Sequence, residues 1–134
     1  MSAQLVAGKG IAGDHYQTST NGARQVTLIA SEDVAAIASF LRVERVMPDQ
    51  LRRNLVTAGI NLVALKRRRF RIGSALLEAT GECAPCSRME DAFGPGGYNA
   101  VRGRGGLTAR IMEGATISTG DPIEPVPDDE PTAN

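Results

Sequence analysis

The stretch Phe70-Arg71-Ile72-Gly73-Ser74-Ala75-Leu76-Leu77-Glu78-Ala79-Thr80-Gly81-Glu82-Cys83-Ala84-Pro85-Cys86 decides how this chain folds. It opens with partial alternation, Phe70 and Ile72 apolar around Arg71, which turns one face to a core and leaves the other partly wet. A strand over 70–80 therefore leads directly into the chain's two cysteines, spaced C-x-x-C. The chemistry of the protein is expected to run through a thiol at this junction.

Outward from this segment, short apolar runs predict further strands over 4–9, 24–30, 54–58, 107–112 and 122–126. Turn formers separate them: Ala12-Gly13-Asp14, Ser19-Thr20-Asn21-Gly22, Ala58-Gly59, Gly94-Pro95-Gly96-Gly97, Gly105-Gly106 and Thr119-Gly120-Asp121-Pro122. One helix is signalled clearly. Ser31 is placed to cap it, Glu32 and Asp33 suit its positive end, and Val34, Ile37, Ala38 and Leu41 recur at helical spacing. A second short helix or turn begins at Pro48 and delivers Arg52, Arg53 and Asn54 to the start of a strand. The pattern predicts a mainly β fold with one or two short helices, a small β-barrel with its functional groups on loops at one end.

At 134 residues the chain fits one domain able to bury its own core. That domain is expected over 1–126. The remaining 127–134, Pro-Asp-Asp-Glu-Pro-Thr-Ala-Asn, carries no apolar anchor and is expected to be disordered. Fifteen basic and fifteen acidic residues cancel, which gives no reason to expect nucleic acid or a membrane as partner. The first residues lack a basic segment followed by an apolar one, and no apolar run approaches the roughly 18 residues of a membrane span. A cytoplasmic location is the expectation, and its reducing poise argues against a disulfide between Cys83 and Cys86.

Four readings of C-x-x-C compete: a sulfur or metal-cofactor ligand, a thioredoxin-like redox pair, half of a zinc site, and two inert turn cysteines. Structural zinc needs four ligands, whereas the chain offers Cys83, Cys86 and a single His15, short of a site unless a dimer shares it. Thioredoxin-like chemistry places the motif at a helix start in an α/β setting, but here it lies between β signals and a glycine-rich loop. Taken alone, the motif favours inert cysteines. The run Lys66-Arg67-Arg68-Arg69 reads first as a solvated hairpin edge, and second as a docking point for an anionic partner.

The wider constellation changes that balance. Gly10-Ile11-Ala12-Gly13-Asp14-His15, Arg24-Gln25-Val26-Thr27-Leu28-Ile29, Arg52-Arg53-Asn54-Leu55-Val56-Thr57-Ala58-Gly59-Ile60-Asn61-Leu62, Phe70-Arg71-Ile72-Gly73, Cys83-Ala84-Pro85-Cys86, Gly105-Gly106-Leu107-Thr108-Ala109-Arg110 and Gly120-Asp121-Pro122-Ile123 follow in order. In that order and spacing they resemble the MOSC domain, named after the C-terminal part of molybdenum-cofactor sulfurases. The resemblance runs from about Val6 to Val126, which is similar to a small stand-alone member.

The resemblance implies a MOSC-type β-barrel holding molybdenum cofactor (molybdopterin), with a cysteine that ligates molybdenum or carries sulfur. The family's key cysteine maps onto Cys86, as catalytic group and metal ligand. Cys83 matches a cysteine found in part of the family. The Arg-x-Asn element maps onto Arg53 and Asn54, with Arg52 competing for the arginine role, and the glycine-aspartate loop onto Asp14 and His15. On the residues themselves, a lone His15 is more often a loop or core histidine than a ligand, and Asp14 reads equally as a turn residue.

Thiolate chemistry needs a nearby cation, for which Arg53 or Arg88 is suited. A cofactor phosphate needs guanidinium forks and glycine-loop N–H groups, which Arg102, Arg104 and 103–106 would supply, a solvated glycine loop being the alternative. The implied activity is reduction of N-hydroxylated compounds or sulfur handling. A redox partner protein must then donate electrons, because the chain has neither a dinucleotide fingerprint nor four cluster cysteines. The other outcome is a non-catalytic persulfide carrier or interaction barrel, served by a sulfur donor. Pyridoxal phosphate is not expected in this chain alone, since desulfurase chemistry needs a Schiff-base lysine in a large dedicated fold.

Overall fold

The computed structural model describes residues 2–13, 22–51, 53–83 and 92–127. Along the chain lie β1 (Ser2–Val6), β2 (Gly10–Ile11), β3 (Val26–Ala30), α1 (Ser31–Leu41), β4 (Leu55–Thr57), β5 (Arg69–Ile72), β6 (Ala75–Glu82), α2 (Gly97–Val101), β7 (Leu107–Glu113), β8 (Ala115–Ser118) and β9 (Ile123–Pro125). Single 3-10 turns occupy Pro48–Leu51 and Leu62–Leu65. The described chain is mainly β with two short helices, as its sequence predicts. No described helix is long and apolar enough to cross a membrane.

Packing divides the chain into two compact units. The first comprises Met1–Val26, Leu65–Gly81 and Thr108–Asn134. In it β1 pairs antiparallel with β2 and β8, and β7, β6, β5 and β9 lie side by side in that order. Strand β7 alternates, with Leu107, Ala109 and Ile111 buried while Thr108 and Arg110 are only half-buried. Phe70 is fully buried from β5.

The segment 70–80 is not one strand. Ile72 and Ala75 face each other across a two-residue turn, so β5 and β6 form a hairpin. Gly73 takes φ +56° in that turn, and its N–H donates to the Pro122 carbonyl at 3.0 Å. The turn is Gly73-Ser74, a pair of turn formers inside the stretch that the sequence reads as a single strand. Buried Gln25 supplies sheet-like bonds from its side chain: Oε1 accepts from Ile111 N–H at 2.9 Å and Nε2 donates to the Gly22 carbonyl at 2.9 Å.

The second unit comprises Thr27–Ala64 and Glu82–Leu107. Strand β3 is buried along its whole length and pairs in parallel with β4, Leu28 opposite Leu55 and Ala30 opposite Thr57. Helix α1 then packs Ile37 and Ala38 into a cluster with Ile29, Val46, Leu51, Ala100 and Val101, while Val34 and Leu41 flank it. Those are the four helical positions that the sequence nominates. Ser31 does not cap the helix. Ala30 holds the extended cap position without a side-chain bond, and Ser31 is the first helical residue, its hydroxyl donating to Glu32 at 3.3 Å. Glu32 reaches back to accept from Gly59 N–H at 2.8 Å, and this bond holds its carboxyl below the ordinary value.

Candidate functional site

Site building in the second unit starts from Arg53, just before β4. Its side chain is buried, and a guanidinium can sit there only if its N–H groups find acceptors. Nε donates to the Gly105 carbonyl at 2.6 Å and Nη1 to the Leu51 carbonyl at 2.6 Å. Arg53 thus fastens the glycine-rich loop after α2 to the 3-10 turn before β4.

Asn54 turns to β3 instead. Its Oδ1 accepts from Thr27 N–H at 2.8 Å and from the Thr27 hydroxyl at 3.1 Å, while that hydroxyl accepts from Asn54 N–H at 3.1 Å. This clasp fixes the register at which β4 joins β3. Asn54→Ala removes the acceptor of a buried backbone N–H and a buried hydroxyl. A loss of about 1–3 kcal/mol in chemical denaturation is expected.

The fastened loop lies against two backbones. A Cβ on Gly105 would stand 2.3 Å from the Cys83 carbonyl oxygen, and one on Gly106 would stand 1.7 Å from the Leu28 carbonyl oxygen. Cys83 N–H donates to the Gly106 carbonyl at 2.8 Å, tying the end of β6 to the same loop. These contacts place the first cysteine of C-x-x-C, buried, beside the loop residues.

Between them opens a pocket of about 290 Å³, near the lower end of the sizes usual for small-molecule sites. Its polar wall is Arg102 with Gly103, Gly105 and Gly106; its apolar wall includes Leu62, Val63 and Leu107; Asp33, Glu82, Cys83 and Tyr98 complete it. Burial pushes the Asp33 carboxyl up from its ordinary value, the Arg104 guanidinium opposes this, and Glu32 adds to it. Among the described residues no three His, Cys, Asp or Glu side chains cluster as a metal site.

The sequence-nominated residues separate into four groups. Arg53 and Asn54 both serve the architecture of this unit, the arginine holding the loop and the asparagine holding β4. Arg104 lies beside the pocket with its guanidinium carbon 5.0 Å from the Phe40 ring centre, a cation–π contact, and is not part of the lining. Asp14, His15, Cys86 and Arg88 lie outside the described residues. Arg102 and residues 103–106, nominated as a phosphate cradle, do line the pocket, apart from Arg104. Asp33, Glu82 and Tyr98 were missed as site residues. Asp33 carried a signal of its own, a carboxylate in the first helical turn after a buried strand, but it was absorbed by its role at the helix end.

Comparison with known proteins places this geometry. A family model described as the MOSC domain matches residues 13–124. Among solved structures, the YuaD protein of Bacillus subtilis superposes with a TM-score of 0.78 at 22% identity, over 92% of this chain and 83% of that one. YiiM of Escherichia coli gives 0.74 at 20% identity over 95% of this chain and 63% of its own length. YiiM of Geobacillus stearothermophilus gives 0.69 at 16%, over 93% and 75%. The chain therefore shares the fold of these proteins, while spanning less than two thirds of the Escherichia coli protein. No curated protein matches it by sequence.

Proposed function

The chain belongs to the MOSC domain family, and from that premise we propose that it binds molybdenum cofactor in the pocket of its second unit, with Cys86 as the sulfur ligand. The observation that carries the reading is the pocket itself, where the end of β6, leading into C-x-x-C, meets a glycine loop bearing Arg102. Cys86 follows Cys83 by three residues, so the two Cα atoms lie within about 11 Å of each other. A soft thiolate is therefore within reach of the pocket, as thiolate ligation requires.

The donor set fits the group. Arg102 offers a guanidinium fork for a phosphate, and the backbone of Gly103, Gly105 and Gly106 lines the same pocket. Leu62 and Leu107, both buried, make one wall apolar. Arg53 does not line the pocket; it is a positioning residue that holds Gly105 through its carbonyl. Cys86 supplies the thiolate, and Arg88, Asp14 and His15 are assigned to the neighbourhood of that sulfur.

When bound, the group supplies a redox metal able to remove oxygen from an N-hydroxylated compound, using two electrons and two protons from an external donor and releasing water. The same cysteine, without cofactor, would serve a persulfide carrier. Elemental analysis of protein made in a host that produces molybdenum cofactor separates these outcomes. Stoichiometric molybdenum is expected in the parent and a loss of most of it in Cys86→Ser. A parent without molybdenum but with one added sulfur on the Cys86 peptide would replace this reading by the carrier.

A further inference from the structure

The pocket carries two kinds of polar wall, and the glycine-loop wall accounts for only one of them. Opposite in charge to Arg102 stands Asp33, half-buried in the first turn of α1 and lining the same cavity. Arg104 faces Asp33 closely enough to oppose the upward shift caused by burial, yet keeps its guanidinium over the Phe40 ring. A phosphate has no use for a carboxylate, since two anions repel. A carboxylate at this position is suited to a ligand edge that presents N–H donors.

Resting on the cofactor reading above, we infer that Asp33 is the specificity-determining residue for the heterocyclic end of the ligand. Its two oxygens accept the paired N–H donors of a 2-amino-4-oxo pyrimidine edge, the edge that a pterin carries. Such an edge presents a ring N–H and an amino N–H side by side, the same parallel pair by which a guanidinium grips a carboxylate. Tyr98, itself exposed, and the buried Leu62 and Leu107 line the same pocket and give a planar ring an aromatic face and apolar contacts. The pocket then divides its labour, anion-binding groups on the loop and a donor-reading carboxylate on α1. Asp33 makes no bond change; it selects and orients.

Two measurements test this on the intact chain. Fluorescence titration with pterin-6-carboxylate is expected to show binding to the parent and about tenfold weaker binding to Asp33→Asn, in keeping with loss of hydrogen bonds to a charged group. Glu32→Gln, one position away and bonded to Gly59 instead, is expected to bind as the parent does. Pterin content after purification from a cofactor-producing host should fall in Asp33→Asn and not in Glu32→Gln. Thermal melting monitors whether Asp33→Asn remains folded, and Asp33→Glu, which keeps the charge, should recover part of the affinity. A loaded parent with equal pterin in Asp33→Asn would overturn the assignment of Asp33 alone. A parent that holds no pterin from the host and does not bind the probe would overturn the cofactor reading together with it.

Discussion

Gly106→Ala is expected to abolish folding. The added Cβ would lie 1.7 Å from the Leu28 carbonyl oxygen and 2.8 Å from its carbon, both backbone atoms of a residue with no exposed surface. Neither neighbour can rotate away, because Leu28 is backbone-paired with Leu55 within the buried strand β3. Gly106 also holds φ +91°, which an L side chain rarely adopts. The penalty exceeds the roughly 4–5 kcal/mol that marks exceptional single substitutions and is comparable with the whole stability of a small domain, about 5–15 kcal/mol. Circular dichroism and soluble yield measure it. Gly94→Ala is the reference, with φ +77° but nothing within 4 Å of the new Cβ, and should cost only about 1–2 kcal/mol. A Gly106→Ala protein melting with the parent would mean that the loop does not approach β3 as described.

Arg53→Met is expected to cost about 3–5 kcal/mol and to empty the pocket of ligand. The substitution keeps much of the side-chain volume, so the loss reports the guanidinium rather than a cavity. It leaves the Gly105 and Leu51 carbonyls without the donors that now hold them at 2.6 Å, in a part of the unit closed to water. Desolvated acceptors of that kind are expensive to leave unmade. Arg53→Lys should rescue little, because one ammonium on a flexible stem cannot span two carbonyls as a planar fork does. Denaturant titration gives the stability, and equilibrium binding of pterin-6-carboxylate gives the effect on the pocket. Parent-like values of both in Arg53→Met would remove Arg53 from its positioning role.

These two residues also show what was legible in the sequence. Arg53 and Gly105-Gly106 stood out as motif residues, but their nature pointed toward a ligand and gave no sign of the backbone contacts that they make. A charge in a motif does not reveal whether its partner is a phosphate or a carbonyl. Helix α1 was legible because its apolar period and first-turn acids agree, and only the cap was misassigned, since Ala30 needs no side-chain bond when β3 feeds the helix directly.

Strand β7 was legible as a short apolar run after the Gly105-Gly106 turn. Strands β2 and β8, the two partners of β1, were not, because two and four residues are too few to establish a period. Helix α2 was hidden behind Gly94-Pro95-Gly96-Gly97, which reads as a turn; the helix is held by tertiary burial of Ala100 and Val101 rather than by propensity. For the pocket, the loop residues were legible and the carboxylates were not, since Asp33 and Glu82 are made neighbours of the loop only by the fold.

The central claim is that Cys86 ligates the metal of a bound molybdenum cofactor. X-ray absorption at the molybdenum edge, on protein purified from a cofactor-producing host, tests it without reliance on turnover. The parent should show a molybdenum–sulfur shell with one protein thiolate, and whatever molybdenum Cys86→Ser retains should show one sulfur fewer. An unchanged sulfur shell with full molybdenum in Cys86→Ser would contradict the assignment.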